Sequence, residues 1–157
     1  MAGCLMRVKE LNSVGASHNV WTKLPTPIIA DSGACDSVMP AEWADNYPAE
    51  RSGREGVTSY VAANGEKVPN LGEKTLNVCT SEGQYSRMKF QLAPVNQALC
   101  SVSGLCNGGN RVVFEADHGY IENLQTGSIT WLECRDGLYV LETDIAPHND
   151  PDFVRPA

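Results

Sequence analysis

Alternating and continuous apolar runs along the chain predict β-strands. Residues 28–30 form a short apolar run that leads directly into Asp31, which is typical of a buried strand ending in a carboxylate. Residues 75–80 and 88–92 alternate apolar and polar positions, so each is predicted to be a strand with one buried face. Residues 20–24 predict a further short strand, ended by the prolines that follow it.

A hairpin is predicted around Asn64-Gly65. Strand-like residues 57–62 and 67–71 flank this pair, and a charged, glycine-containing loop at 51–56 precedes it. Asn-Gly is the strongest local signal for a two-residue type I′ turn, because both central positions of that turn need positive φ. We therefore expect the hairpin to project from the domain.

Short helical segments and a C-terminal meander complete the expected elements. Residues 40–47 are predicted to form one or two helical turns, since proline is tolerated at the first helical position. Residues 99–105 predict a short helix, ended by Gly108-Gly109. Beyond it, strand-like segments separated by glycine-containing turns predict an antiparallel meander. These segments are residues 111–115, 120–124, 129–134 and 138–142.

The length of the chain predicts one domain. Its 157 residues allow a single modest core, and a hydrophobic content of 42% with 20% charged residues is typical of a folded globular chain. The composition of the two ends predicts a flexible N-terminal segment at 1–16 and a flexible tail at 147–157. The folded domain is therefore expected over residues 17–146.

Charge and hydropathy disfavour two classes of partner. A net charge of −7 with 12 scattered basic residues disfavours nucleic-acid binding, which needs clustered Lys and Arg. No stretch approaches the roughly 20 apolar residues of a membrane span, and residues 1–20 contain no apolar signal region. We therefore expect neither membrane binding nor secretion.

The cysteines and histidines do not indicate a metal centre. No Cys-x-x-Cys pair occurs, and the three histidines lack metal-site spacing. Because no secretion signal accompanies the cysteines, free thiols in a reducing compartment are expected. The six cysteines are Cys4, Cys35, Cys79, Cys100, Cys106 and Cys134.

Asp31-Ser32-Gly33 is the tripeptide with the clearest chemistry. On its own it also fits a turn, because Asp, Ser and Gly are common turn residues. A carboxylate at a strand end that is followed by small residues can, however, approach a copy of itself closely. Two carboxylates about 3 Å apart share one proton, so one accepts a proton from water while the other donates to a carbonyl oxygen. Such a pair activates water without a metal or a nucleophilic side chain.

The sequence around this tripeptide resembles the active-site signature of retropepsin-like aspartic proteases. An apolar run, Asp-Ser-Gly-Ala, an acid, Ser and Val occur in the family's order, with Cys35 between the alanine and the acid. The string is Pro27-Ile28-Ile29-Ala30-Asp31-Ser32-Gly33-Ala34-Cys35-Asp36-Ser37-Val38. Residues 98–105 are similar to the family's segment leading into its short helix. With residues 109–114 and 137–141, they are particularly similar to proteases of copia-type LTR retrotransposon polyproteins.

The resemblance covers roughly residues 19–142 and implies a fold and an assembly. The implied fold is all-β: a closed or partly closed retropepsin-like barrel with one short helix and a C-terminal β meander. One motif per chain implies a homodimer in which each copy supplies one Asp31, acting on a peptide or polyprotein substrate without a cofactor. The implied location is the cytoplasm or a retroelement particle. Activity is expected to be highest at mildly acidic pH, where the pair holds one proton.

The resemblance also implies roles for the residues of the motif. Asp31 is the catalytic carboxylate, and the Ser32 hydroxyl braces the loop against its dimer mate. Gly33 allows close approach and contacts substrate, and with Ser32 and Ala34 it supports the active-site loop. Ala34 and Asp36 form a substrate subsite wall.

The hairpin tip has an implied role as well. Ala63, Asn64 and Gly65 are the substrate-contacting lid over bound peptide. A glycine-tipped hairpin can exclude water and bind an extended substrate through its backbone.

Two departures from the family pattern stand out: a lost charge pair, and a meander at residues 111–142 that extends past the usual retroviral end. The lost charge pair leaves a second class of function open. Cys35 stands where many members have an acid, and Val102 stands where the helix start often has the Arg that pairs with it. The joint loss leaves no buried unpaired charge. The alternative is a catalytically inactive retropepsin-like module that binds peptides or dimerises.

Neighbouring residues have simpler interpretations. Cys35 lacks a histidine in a matching motif and is interpreted as a small thiol. Asp117 and Asp136 lie in turn sequences without a leading apolar run, so neither is a second catalytic Asp. Tyr60, on the hairpin, either covers substrate or packs across the strand pair.

Overall fold

Strands dominate the computed structural model, which describes residues 20–62, 64–150 and 153. The predicted segment 1–16, the predicted lid residue Ala63 and most of residues 151–157 lie outside the described residues. The described strands are β1 Ile28–Asp31, β2 Val38–Pro40, β3 Ser59–Val61, β4 Lys67–Pro69, β5 Gly72–Thr80, β6 Tyr85–Ala93, β7 Leu99–Ser101, β8 Asn110–Phe114, β9 His118–Asn123, β10 Ile129–Arg135, β11 Leu138–Leu141 and β12 Thr143–Ile145. A short helix, α1, spans Val102–Asn107. The all-β prediction is confirmed.

Ten of the described strands form one sheet in the order β12-β5-β6-β2-β7-β1-β11-β10-β9-β8, and β3 with β4 forms a separate hairpin. Strand β7 lies between β1 and β2. It runs parallel to β1, with Asp31 opposite Ser101, and antiparallel to β2, with Val38 opposite Leu99. The loop 32–37, which joins β1 to β2, therefore crosses the end of β7.

Of the predicted closed or partly closed barrel, the closed form is not found among the described strands, because their order has two ends, β12 and β8. Period-two patterns identify strands but do not determine which strands pair, so closure could not be read from the sequence. The sheet nevertheless curls. Gln84, in the β5–β6 turn, donates from Nε2 to the Ile129 carbonyl of β10 at 3.1 Å, and the Thr130 hydroxyl donates back to its Oε1 at 3.2 Å.

The core fills the inside of this curl. Ile28, at 1% exposure, and Ala30 point inward from β1, and Ile29 between them is half-buried on the other face. The meander contributes Ile121, Leu132 and Leu141 to the same cluster. The other buried members are Met39, Tyr47, Leu76, Val78, Phe90, Leu92, Ala98, Cys100 and Ile145. The segments predicted as the strands β5 and β6 and as the meander all form strands.

Residues 40–47 are not helical, so this prediction was wrong. Pro40 ends β2, and Ala44 has a φ of 53°, which interrupts any helix. The buried Lys74 ammonium donates to the carbonyls of Ala41, Trp43 and Ala44 at 3.2, 3.0 and 3.2 Å. These carbonyls therefore bind a cation from β5 in place of helical N–H groups.

Three smaller differences concern element ends. Residues 99–101 form β7, so the helix predicted over 99–105 begins only at Val102. Of residues 20–24, Thr22 forms an isolated bridge to Ile145. In the predicted hairpin, Gly65 has a φ of 83°, whereas Asn64 is not among the described residues with positive φ. Ala62 pairs with Glu66 at 2.9 Å, so the type I′ turn is replaced by a longer loop.

Two further findings bear on the ends and the cysteines. Pro147 is fully buried and Phe153 packs edge to face with Tyr85, with ring centroids 5.5 Å apart, so described parts of the predicted tail contact the domain. Cys79 is disulfide-bonded, which corrects the expectation of free thiols at that position. Within the described ranges, no helix is long and apolar enough to cross a membrane.

Candidate active site

Asp31 is the last residue of β1, and its carboxylate is held by the loop that follows. Strand pairing fixes the backbone, since Ala30 and Asp31 pair with β7 while Ile28 and Ile29 pair with β11. The Gly33 N–H donates to Asp31 Oδ1 at 2.8 Å. Asp31 Oδ2 makes no hydrogen bond to any residue that the structure describes, and the side chain is partly exposed. One carboxylate oxygen is thus oriented and the other is open.

The predicted support residues lie in this loop, with different environments. A Cβ on Gly33 would lie 3.3 Å from Asp31 Oδ1, which is tighter than ordinary contact, so a glycine suits the position. Ala34 is half-buried and its N–H lies 3.4 Å from the Asp31 carbonyl. Ser32 and Cys35 are exposed. In a single chain, the side of the loop that carries Ser32 faces outward.

Ser101 braces the loop, a role that the sequence did not reveal. Its buried hydroxyl donates to the Ala34 carbonyl at 2.7 Å and accepts the Gly104 N–H at 3.0 Å, so one side chain holds the loop and caps α1. The Ser101 N–H donates to Ser37 Oγ at 2.9 Å. The signal available was a serine three residues before Gly104 at a helix start. This signal indicates a helix N-cap, but it does not indicate a hydrogen bond to Ala34, 67 residues earlier in the chain.

Asp36 lies close to the motif but is engaged by other residues of the chain. Its Oδ2 accepts hydrogen bonds from Arg54 Nη2 at 3.0 Å and from the Tyr60 hydroxyl at 3.1 Å. The side chains of Asp36 and Arg54 are 29% and 39% exposed, so the ion pair is only partly desolvated. The predicted subsite residue is therefore bonded to the hairpin and to the loop before it.

The hairpin is attached through its base. Tyr60 and its cross-strand partner Val68 are half-buried, whereas Val61 on the opposite face is 72% exposed. Burial raises the pKa of the Tyr60 hydroxyl, and its Asp36 partner acts in the same direction, so the phenol stays a donor at neutral pH. At the tip, Asn64 bonds only locally among the described residues, its Oδ1 accepting the Glu66 N–H at 3.0 Å. No described hydrogen bond joins Asn64 or Gly65 to the Asp31 loop.

Asn70 joins the hairpin to the sheet. It is 2% exposed, and its Nδ2 donates to the Tyr60 hydroxyl at 3.1 Å and to Gln91 Oε1 at 2.9 Å. Its Oδ1 accepts the Gly72 N–H at 2.9 Å. Every polar atom of this buried amide therefore has a partner, which is the condition under which a buried amide is tolerated.

A cavity of about 640 Å³ lies on the far side of the loop, between β6 and the meander. Cys35, Asp36 and Ser37 line it, and Asp31 does not. Burial raises the pKa of the neighbouring Cys100 thiol to about 11, so this side chain stays protonated and is unsuited to nucleophilic catalysis. Compared with this thiol, the Asp31 carboxylate with its open Oδ2 is the better candidate for acid–base chemistry.

A scan against protein-family models, a search of curated proteins and a search of solved structures each find no match to this chain.

Proposed function

We propose that this chain is an aspartic endopeptidase subunit of the retropepsin type, whose active site forms when two copies bring their Asp31 loops together. One observation carries the proposal: Asp31 ends a fully paired strand with Oδ1 held at 2.8 Å by Gly33 and Oδ2 open. Because the strand end is fixed and the loop after it consists of small residues, two such carboxylates can approach within about 3 Å of each other.

The proposed reaction is hydrolysis by a water held between the two Asp31 side chains. With one proton shared, the ionised carboxylate takes a proton from water and the protonated one donates to the peptide carbonyl. Ser32, which is exposed, is proposed to bond across the dimer axis. Activity is expected to peak at mildly acidic pH, because both the doubly ionised and the doubly protonated pair lack one of these roles.

The hairpin β3–β4 is proposed to be the lid. It forms its own two-stranded sheet and carries an exposed apolar side chain, Val61, close to its tip. Backbone groups at such a tip can pair with an extended peptide. The proposed substrate is the polyprotein that contains the domain, and the proposed location is the cytoplasm or a retroelement particle.

The second candidate is the inactive peptide-binding or dimerisation module. One observation favours it: Cys35 replaces the family's acid and Asp36 is already bonded to Arg54 and Tyr60, so neither is available to bind a substrate backbone. The two candidates differ in one requirement. Only the enzyme needs the Asp31 carboxylate.

Self-processing of a precursor separates the candidates. The chain is expressed with flanking segments in three forms: wild type, Asp31→Asn and the control Asp136→Asn. Asp136 is an exposed turn residue with a φ of 51°, a conformation that Asn accepts readily. We expect cleavage by wild type and control and none by Asp31→Asn. Cleavage by Asp31→Asn would remove Asp31 from the mechanism, and no cleavage by any form would favour the module.

A further inference from the structure

The Asp36 carboxylate occupies a position between the active-site loop and the hairpin. It lies five residues after Asp31 and accepts hydrogen bonds from Arg54, in the loop before β3, and from Tyr60, on β3. A carboxylate that accepts from both a cation and a hydroxyl makes charge-assisted bonds, which are stronger than neutral ones. The hairpin is therefore attached directly to the loop 32–37, which follows Asp31.

The direction of the hydrogen bonds shows that the attachment forms one chain. Tyr60 has one hydroxyl proton, and it goes to Asp36 Oδ2 at 3.1 Å. The Tyr60 oxygen then accepts from Asn70 Nδ2, whose second proton goes to Gln91 on β6. Asp36, Tyr60, Asn70 and Gln91, called here the anchor chain, thus connect the loop, both ends of the hairpin and the main sheet.

The loop before the hairpin is held at the same point. The Glu55 carboxylate accepts the Ser52 N–H at 2.7 Å and also the Ser52 hydroxyl. These bonds lower the pKa of Glu55 to about 2, the Ser52 hydroxyl being the largest cause. The Ser52 hydroxyl also lies 2.8 Å from Asn70 Oδ1. Arg54 therefore reaches Asp36 from a turn that Glu55 closes beside the anchor chain.

We propose that Asp36 is a positioning residue that holds the lid over the active-site loop through Tyr60 and Arg54. The inference rests on the proposed function. The charge pair that Cys35 and Val102 have lost is replaced by an acid one residue later and an arginine from the loop before the lid. The lid, and not the helix, is thereby tied to the loop. Asp36 is assigned to the lid in place of the substrate subsite.

The test uses Tyr60→Phe, which removes only the hydroxyl, and Asp36→Ala, which removes the acceptor. Tyr120→Phe is the matched control, because the Tyr120 hydroxyl has no described hydrogen bond and lies on the meander. Amide hydrogen exchange is measured by mass spectrometry over residues 57–71 and over β5 and β6. Peptide hydrolysis supplies kcat and KM for the same proteins.

Each anchor variant is expected to raise exchange across residues 57–71 by roughly tenfold or more, because a hydrogen bond to a charged group is lost from the closed state. Protection of β5 and β6 should stay unchanged. KM should rise with little change in kcat. A protein that carries both Tyr60→Phe and Asp36→Ala should exchange and bind substrate much like the more affected single variant, because both changes break the same hydrogen bond. Tyr120→Phe should match wild type in every readout.

Unchanged exchange in both anchor variants would overturn the proposal, and so would raised exchange with an unchanged KM. Loss of protection throughout β5 and β6 would also overturn it, because the role would then be general stability. An inactive wild type would contradict the proposed function instead, and the exchange result would still report whether the anchor holds the hairpin.

Discussion

Two segments of this chain have the sequence Asp-x-Gly, Asp31-Ser32-Gly33 and Asp117-His118-Gly119, and their surroundings differ in every respect that matters for catalysis. Asp31 ends a buried strand and its loop is braced by Ser101 from a neighbouring strand. Asp117 lies in an exposed turn of the meander, with its side chain 90% exposed and 2.7 Å from the imidazole of His118. The strand before Asp31 and the brace beside it are therefore what distinguishes the proposed catalytic segment from the second one.

The largest expected difference between the two segments is catalytic. Asp31→Asn should lower kcat/KM for a peptide substrate by roughly 10²–10⁴-fold or more, because the general base and acid are lost. Asp117→Asn should change it less than twofold, since that carboxylate faces solvent and pairs with its neighbour. Steady-state kinetics on both variants tests this difference. Equal losses would show that the strand context does not distinguish the two segments.

The next largest difference is expected in stability, between the strands that precede the two segments. Ile28→Ala removes a side chain that is 1% exposed, so we expect unfolding free energy to fall by about 2–5 kcal/mol. Phe114→Ala, before the second segment, removes a residue that is 38% exposed and stacks on Tyr139 at 4.5 Å, and should cost about 1 kcal/mol. Urea denaturation measures both. A larger loss for Phe114→Ala would reverse the comparison.

The brace gives a smaller effect that is confined to the first segment. Ser101→Ala leaves the Ala34 carbonyl and the Gly104 N–H without their partner, at a cost of about 1–3 kcal/mol. Activity should fall as well, because the loop that orients Asp31 is no longer held. Ser81→Ala, in an exposed turn, is the control and should change neither quantity. A Ser101→Ala protein with wild-type stability and kcat would exclude the brace.

The smallest expected effect concerns the second segment alone. The hydrogen bond that the His118 imidazole donates to Asp117 raises the pKa of His118 above its usual 6.5, and Glu115 at 3.9 Å adds to this effect. A raised folded pKa stabilises below pH 6.5, and this contribution is lost as pH rises through the folded value. Asp117→Asn should lower the pKa of His118, which NMR titration of the imidazole measures. An unchanged pKa would contradict this pairing.

The sequence predicted the features that depend on local patterns. The apolar run before Asp31 became a buried strand, and the segments around Asn64-Gly65 became a hairpin, because strand periodicity and a glycine turn are local signals. Features that depend on distant partners were missed. Residues 40–47 turn around the Lys74 ammonium, and Asp36 is bonded to Tyr60, 24 residues away. Whether the sheet closes into a barrel likewise depends on pairing between strands far apart in sequence, so the open order of the strands was also missed.

The central claim is that an active site needs one Asp31 from each of two copies, and a mixing experiment tests it most directly. Wild type and Asp31→Asn are mixed in equal amounts at constant total concentration and allowed to exchange subunits. If only dimers with two wild-type chains are active, about a quarter of the wild-type activity should remain, because random pairing gives that fraction. Retention of about half, the value for chains that act alone, would contradict the claim.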